Sequence, residues 1–349
     1  MSNFESINKI LQQDLEIMSE KMDFSKLSNS TVLITGATGL IGSQIVLLLL
    51  YLNRIKNYSI KIIAMGRSLE RLQKKFSQVL DRSNLKLLEA DVQNVLNFDG
   101  DVDYIIHGAS VTASKTFVEK PVDTILTAID GTRNMLDFAK EKNVKGFVYL
   151  SSMEVFGTVE GEPKLSESDY GYIDILSARS CYPESKRMCE CLCASYAKQF
   201  NLPVKTARLA QTVGPGFKYD DNRMVVQFAK SVIENKDIVL LTEGKSKFCP
   251  IYTSDEICGI FTILLKGLSG EAYTVANSSA YSSVREIAQM VASEISQNKI
   301  KVVIKNNNSG QYPPSFAMNL DTSKLKNLGW NADISLKEMY ERLIESLKN

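Results

Sequence analysis

Apolar positions recur along this chain with two different periods. Between residues 3 and 20, Ile7, Ile10, Leu11, Leu15 and Met18 fall three to four residues apart. That spacing predicts an amphipathic helix, packed on the body of the protein or on a second subunit. The short continuous run Thr31-Val32-Leu33-Ile34 then reads as a buried strand. Further runs predict strands over Ile60–Met65, Leu85–Glu89, Tyr104–His107, Gly146–Leu150 and Val204–Leu209. Between them, helical spacing is expected over Leu69–Leu80, Val122–Lys142 and Pro183–Phe200. Strand and helix alternating in this way imply a parallel sheet covered by helices on both faces. Past residue 210 the pattern becomes irregular, with the turn Gly214-Pro215-Gly216, short strands and two or three helices, and a last helix over Ser335–Leu347. The expected division is an N-terminal helix over 1–29, a dinucleotide-type domain over 30–210 and mainly a smaller cap over 211–349. Some cap segments are left free to return to the larger body.

The junction between the first strand and the apolar stretch Ile45–Leu50 is Thr35-Gly36-Ala37-Thr38-Gly39-Leu40-Ile41-Gly42. Strand, glycine-rich turn and helix in this order expose helix N-terminal N–H groups to a pyrophosphate. Gly36 permits the tight turn, Gly39 lets backbone approach phosphate, and Gly42 lets the helix pack closely on the sheet, with Thr38, Leu40 and Ile41 completing the contact surface. The spacing is Gly-x-x-Gly-x-x-Gly rather than Gly-x-Gly-x-x-Gly, and its setting points to dinucleotide binding.

Composition narrows the remaining classes. The 41 basic and 40 acidic residues nearly cancel, so no nucleic-acid or membrane surface is expected. The Ile45–Leu50 run is far shorter than the ~20 residues that span a bilayer. The N-terminal stretch carries scattered Asp and Glu without a secretion-signal pattern, and a cytoplasmic location is expected. Of the six cysteines, Cys189, Cys191 and Cys193 alternate within a helical pattern and cannot share one metal; no Cys-x-x-Cys pair exists. No metal site is expected, and the thiols are read as reduced and structural. His107 is the only histidine, which excludes paired-histidine metal sites and leaves histidine-based triads only through His107 itself. Acid–base chemistry therefore falls to Tyr, Lys, Ser, Asp or Glu.

Tyr182 and Lys186 stand four residues apart at the start of a helix, one turn apart on the same face. An ammonium beside a phenol is expected to pull the tyrosine pKa down from about 10, so that the pair exchanges a hydroxyl proton while a nicotinamide exchanges hydride. Upstream, Phe147-Val148-Tyr149-Leu150 runs into Ser151-Ser152-Met153-Glu154-Val155-Phe156-Gly157. That run puts polar side chains at the carboxyl edge of the sheet, where such sheets bind ligands.

Taken together, the motifs resemble the extended short-chain dehydrogenase/reductase family, in its nucleotide-sugar epimerase and dehydratase branch. The resemblance runs from about residue 30 to the C-terminus. It rests on the Thr-Gly-x-x-Gly-x-x-Gly turn, Asp91-Val92, His107-Gly108-Ala109-Ser110, Ser151-Ser152 with Val155-Phe156-Gly157, Tyr182-Pro183-Glu184-Ser185-Lys186, and Arg208 with Gly214-Pro215. It implies an α/β fold, a doubly wound parallel-sheet Rossmann domain with a smaller C-terminal α/β substrate cap. It also implies a nucleotide-diphosphate sugar substrate handled through a 4-keto intermediate, and a homodimer built on the two long helices. By position, Ser152 resembles the hydroxyl that bonds the sugar O4, Tyr182 the base, and Lys186 the residue holding the nicotinamide ribose. Asp91 and Val92 would flank adenine, and Gly108, Ala109, Ser110 and Ser151 would line the cofactor. Ser110, Met153, Gln211, Arg223 and Lys247 would meet the substrate.

Glu154 matches a glutamate that lies beside the sugar in dehydratases and decarboxylases of this branch and that simple epimerases usually lack. Ser-Met-Glu, with Met153 where one dehydratase group carries an aspartate, is closer to the Thr-Ser-Glu of UDP-glucuronate decarboxylases and GDP-mannose-type dehydratases. Asp221-Asn222-Arg223-Met224-Val225-Val226-Gln227-Phe228 is similar to the segment that wraps the nucleotide diphosphate there, with Asp221 also readable as a helix N-cap. Two positions depart from the pattern. Phe248, between Lys245 and Lys247, replaces a phosphate-gripping arginine, and Ala128 replaces an asparagine. The second strand ends Gly66-Arg67-Ser68 without the acid that binds an NAD ribose. Arg67 and Ser68 lean toward the 2′-phosphate of NADP, while relatives that recycle their nicotinamide often hold NAD, so both cofactors stay open. An NADPH-dependent 4-keto-sugar reductase and a catalytically silent dinucleotide-binding protein are the alternative readings.

Overall fold

A computed structural model describes residues 5–6, 8–112, 114–305 and 315–348. Seven strands form one sheet: β1 (Thr31–Thr35), β2 (Lys61–Gly66), β3 (Leu85–Glu89), β4 (Tyr104–His107), β5 (Gly146–Ser152), β6 (Val204–Leu209) and β7 (Ala272–Val275). Their order is β3-β2-β1-β4-β5-β6-β7, and every neighbouring pair is parallel. The chain reverses its direction of travel across the sheet between β1 and β4, which opens a crevice at their carboxyl ends. This is the expected doubly wound sheet.

Helices cover both faces. Before the sheet comes α1 (Lys9–Lys21); the first crossovers are α2 (Leu40–Lys56) and α3 (Leu69–Lys75). A short α4 (Ser114–Glu119) precedes the two long helices α5 (Pro121–Glu141) and α6 (Cys181–Phe200). Later come α7 (Met224–Ile233), α8 (Thr253–Lys266), α9 (Val284–Met290), α10 (Ser323–Lys326) and α11 (Leu336–Lys348). One face of the sheet packs through Ile34, Ile62, Ile106 and Val148 against α2 and α8. The other packs through Leu33, Ile105, Phe147 and Tyr149 against α5 and α6. Beyond residue 210, β7 and α8 belong to this body, whereas Ile238–Leu240 with Val302–Ile304 and Lys247–Phe248 with Ser282–Ser283 form small separate ladders.

Several boundaries differ from the sequence expectation. The first helix begins at Lys9 because Asn8 caps it, its side chain accepting from the Leu11 N–H; residues 3, 4 and 7 of the expected span lie outside the described residues. The helix expected over 69–80 ends at Lys75, and the chain then turns so that Phe76 and Val79 both enter the core. The last strand before the candidate site runs on to Ser152. α6 starts two residues earlier than expected, at Cys181, so that Pro183 sits in the first turn, where its missing N–H costs nothing. Asp221 is not the N-cap of α7: Arg223 takes that position, and the Asp221 carboxylate accepts the Arg223 N–H at 2.9 Å.

Candidate active site

The glycine turn sits at the mouth of the crevice. Gly36 has φ +69°, and a Cβ there would stand 2.8 Å from the Gly108 carbonyl oxygen; a Cβ on Gly42 would stand 2.5 Å from the Gly36 carbonyl oxygen. The turn is therefore pressed simultaneously against the β4 loop and against α2. Thr35 locks the two loops together, its hydroxyl accepting from the N–H groups of Gly108 (3.2 Å) and Ala109 (3.1 Å). Gly39 is the N-cap of α2 and offers no side-chain acceptor, whereas Asn8, Ser68 and Ser283 fill that role for α1, α3 and α9. A glycine-lined turn, opening on helix N–H groups that no side chain caps, fits the pyrophosphate of a dinucleotide.

Around it, Thr38, Leu40 and Ile41 are part-buried at the start of α2. Arg67 is exposed at the end of β2. Ser68 is committed to capping α3, accepting from the Arg71 N–H at 3.3 Å. Asp91 accepts from the Gln93 N–H at 3.0 Å, and Val92 is buried, its carbonyl bonded by Asn134. The Ser110 hydroxyl donates to the Val111 carbonyl at 3.3 Å.

His107 is spoken for. Its ring nitrogens meet Thr35 Oγ1 at 2.8 Å and Thr132 Oγ1 at 3.3 Å, and burial pushes its pKa down to about 3. A neutral imidazole tied between two threonines joins β1, β4 and α5 and is a structural group.

Tyr182, Lys186 and Ser152 come together at the carboxyl end of β5. Lys186 is buried and donates to the Leu150 carbonyl at 2.7 Å. Its Nζ stands 4.7 Å from the Tyr149 ring centroid and 5.8 Å from that of Tyr182. Burial pushes the lysine down to about 8. The expected acidification of the phenol is not present in the protein alone. Tyr182 is pushed up to about 12, because burial outweighs the opposing hydrogen bond with Ser152. The physical reason is desolvation of the phenolate: only 8 % of Tyr182 is exposed. Phe117 of α4 stacks on its ring at 4.4 Å and 17°.

Glu154 lies one turn beyond Ser152, whose hydroxyl accepts the Glu154 N–H at 3.2 Å. Its carboxylate is engaged by Arg179, which donates from Nη2 to both oxygens at 3.0 Å. Met153, between them, packs part-buried on the core. Arg179 was not singled out from the sequence, although its place three residues before Tyr182 and one helical turn away was readable. Phe117 was missed too, and only the fold brings α4 against α6.

Other expected residues have separate partners. The Ser151 hydroxyl donates to Glu190 at 2.6 Å, joining a buried cluster in which Arg208 donates to Glu190 and Tyr170. Gln211 accepts the Ile251 N–H through its carbonyl. Arg223 is half-exposed over the Phe217 ring at 5.1 Å. Lys247 is held by Glu162 at 2.9 Å and lies over Tyr281. Phe248 is buried in the core, so that segment offers no arginine fork. Cys189 and Cys193 are buried on α6 while Cys191 is exposed, as alternate positions on a helix require. Among the described residues no helix is long and apolar enough to cross a membrane.

With this geometry in view, comparison with known proteins is informative. The model of the NAD dependent epimerase/dehydratase family matches residues 32–276, and the chain belongs to that family. UDP-glucuronic acid decarboxylase 6 of Arabidopsis thaliana is 29% identical over 313 residues, covering 89% of this chain and 87% of that protein. UDP-glucuronic acid decarboxylase 1 of Xenopus tropicalis is 27% identical over 272 residues, 77% of this chain but only 62% of that protein, less than two thirds of its length. Among solved structures, the UDP-glucuronic acid 4-epimerase of Bacillus cereus in complex with UDP-glucuronic acid and NAD superposes with TM-score 0.73 at 23% identity, covering 91% of this chain and 99% of that one. Its likeness is one of fold. The family and fold class implied by the motifs both hold.

Proposed function

We propose that this chain modifies a nucleotide-diphosphate sugar through a 4-keto intermediate, with a nicotinamide dinucleotide lying over the Gly36–Gly42 turn. The dinucleotide, when bound, supplies hydride acceptance at the sugar C4. Tyr182 takes the O4 proton, Ser152 orients that hydroxyl, and Lys186 holds the ribose and adds positive charge at the phenol. Glu154 stands beside the sugar and governs what happens next at its C5 or at a carboxyl group carried there. UDP-glucuronic acid is the first substrate to test, because the curated relatives named above are UDP-glucuronic acid decarboxylases. Arg67, exposed beyond β2 and without a side-chain partner among the described residues, supports NADP over NAD. Val122 and Leu126 of α5 and Met188 of α6 are exposed apolar groups on the two long helices; they support a homodimer, which sedimentation would detect or reject.

The observation that carries the reading is the convergence of Ser152, Tyr182 and Lys186 at the carboxyl edge of the sheet that also carries the glycine-rich turn. The test is Tyr182→Phe, assayed for consumption of a panel of nucleotide sugars. Loss of a general base is expected to lower kcat by about 10²–10⁴-fold, with dinucleotide affinity retained. Turnover by the wild type should rise with pH, since burial keeps the phenol protonated near neutrality. Undiminished turnover by the variant would sink the assignment. Titrating the same variant with both dinucleotides decides the cofactor, and a clear preference for NAD would reject Arg67 as a phosphate ligand.

A further inference from the structure

Tyr182 shares its surroundings with a full negative charge. Glu154 and Arg179 are the charged groups that act on the phenol from outside its own helix, the first raising its pKa and the second lowering it. On α6, Lys186 stands beyond the ring and Cys181 beside it, while Glu184 pairs with Arg187 at 3.3 Å. On α4, Lys115 and Glu119 pair with each other, and the residue presented to the phenol is the apolar Phe117. An unneutralised carboxylate whose charge reaches the phenol would oppose formation of the phenolate that the chemistry above requires.

Three contacts counter that. Arg179 binds both Glu154 oxygens at 3.0 Å through one nitrogen. Its guanidinium carbon lies 4.8 Å from the centroid of the Phe117 ring. Phe117 in turn stacks at 4.4 Å on Tyr182, so guanidinium, phenyl and phenol form one column. The column ties α4, the turn before α6 and α6 itself into a fixed register, and the Cys181 thiol adds a contact to the Phe117 carbonyl at 3.4 Å. We propose that Arg179 is a positioning residue that allows Glu154 and Tyr182 to work side by side. Its guanidinium offsets part of the glutamate charge at the phenol, and the aromatic stack sets the distance at which it does so. This inference rests on the function proposed above. Arg179 acts through its two neighbours and takes no proton itself.

The experiment compares wild type, Arg179→Gln, Arg179→Lys, Glu154→Gln and the Arg179→Gln/Glu154→Gln double variant. Each is checked for folding by circular dichroism, and kcat is then measured from pH 6 to pH 10 on the best substrate. Arg179→Gln should lower kcat at neutral pH by about tenfold or more and move the rising limb of the profile to higher pH by roughly one unit, since one pKa unit is tenfold. Arg179→Lys should return most of that shift, because it restores the charge and not the fork. Removing Glu154 as well should return the limb toward the wild-type position even though the rate stays low, an outcome that lost packing cannot produce. If the limb of a folded Arg179→Gln coincides with wild type, or if the double variant keeps the shift, Arg179 merely packs and the inference falls while the proposed function stands. A wild type that converts no nucleotide sugar, or a Tyr182→Phe variant with full turnover, overturns both.

Discussion

One methyl group decides whether the glycine turn can exist. At Gly42 a Cβ would meet the Gly36 carbonyl oxygen at 2.5 Å and its carbonyl carbon at 3.0 Å, both backbone atoms that cannot swing aside. Gly42→Ala must therefore push α2 away from the turn. Small-to-large changes in tight packing cost about 1–3 kcal/mol, and here the displaced element carries the N–H groups that would face phosphate. The expected outcome is a loss of that order in urea unfolding, together with at least tenfold weaker dinucleotide binding by fluorescence titration. Unchanged affinity would show that the glycine turn is not where the dinucleotide sits. The same scale explains why the phenol did not behave as the Tyr-x-x-x-Lys spacing suggests. Spacing fixes which face two side chains share, but burial by Phe117, from a helix more than 60 residues earlier in the chain, fixes their proton affinity.

Helix α8 shows what an element can hide inside an apolar pattern. It is buried along almost its whole length, yet carries Glu256, whose Oε2 accepts from Thr212 at 2.8 Å while Oε1 has no partner among the described residues. Burial pushes Glu256 up from 4.5 to about 8. A carboxyl with a higher pKa folded than unfolded holds its proton more tightly in the native state. Unfolding then releases that proton, and stability falls as pH rises between those two values, by up to about 1.4 kcal/mol per pH unit. Glu256→Gln keeps the shape and removes the ionisation. It is expected to be more stable than wild type at pH 8, by on the order of 1–3 kcal/mol after relaxation, with the gap shrinking toward pH 5. Urea unfolding at three pH values checks this, and parallel curves for the two proteins would contradict it.

Elements of this kind also show why part of the fold was legible and part was not. β3, β4 and β6 matched their expected limits; for β4 the apolar run in a parallel sheet is buried throughout, whereas β3 lies at the sheet edge and is only partly buried. α3 was over-extended because Phe76 and Val79 keep a helix-like spacing while the backbone has already turned. After residue 210 the strands outside the main sheet pair over two or three residues, too short for a period to register. At the candidate site, Ser152, Tyr182 and Lys186 were legible because β5 and one turn of α6 present them by local geometry alone. The pairing of Arg179 with Glu154 and the joining of Ser151 and Arg208 through Glu190 were not, since these partners meet only through tertiary packing.

At the scale of the whole molecule, α1 acts as a strap across segments far apart in sequence. Asp14, fully buried, accepts from Tyr252 at 2.8 Å and pairs with Arg342 of α11. Lys21 pairs with Asp255 of α8 and with Asp333, Glu20 pairs with Lys56 of α2, and Glu5, just ahead of the helix, pairs with Arg54 of α2. Asn8 reaches Ser346 near the end of the chain. One helix thus clamps α2, from the first half of the molecule, to α8 and α11 from the second. Burial raises Asp14 to about 6 even against Arg342, so the pair is ionised above that pH, and, as for Glu256, the raised carboxyl stabilises the native state less there than at acid pH. Asp14→Ala would leave a largely buried guanidinium and a buried phenol without their acceptor, and breaking a buried pair from one side costs about 3–5 kcal/mol. None of the α1 contacts involves Ser152, Glu154, Tyr182 or Lys186. The expected result is therefore a protein with a strongly lowered denaturation midpoint at pH 7.5 but with wild-type kcat while folded. If kcat fell in step with stability, the strap would have to reach the crevice through α2, and the separation of clamp from chemistry argued here would be wrong.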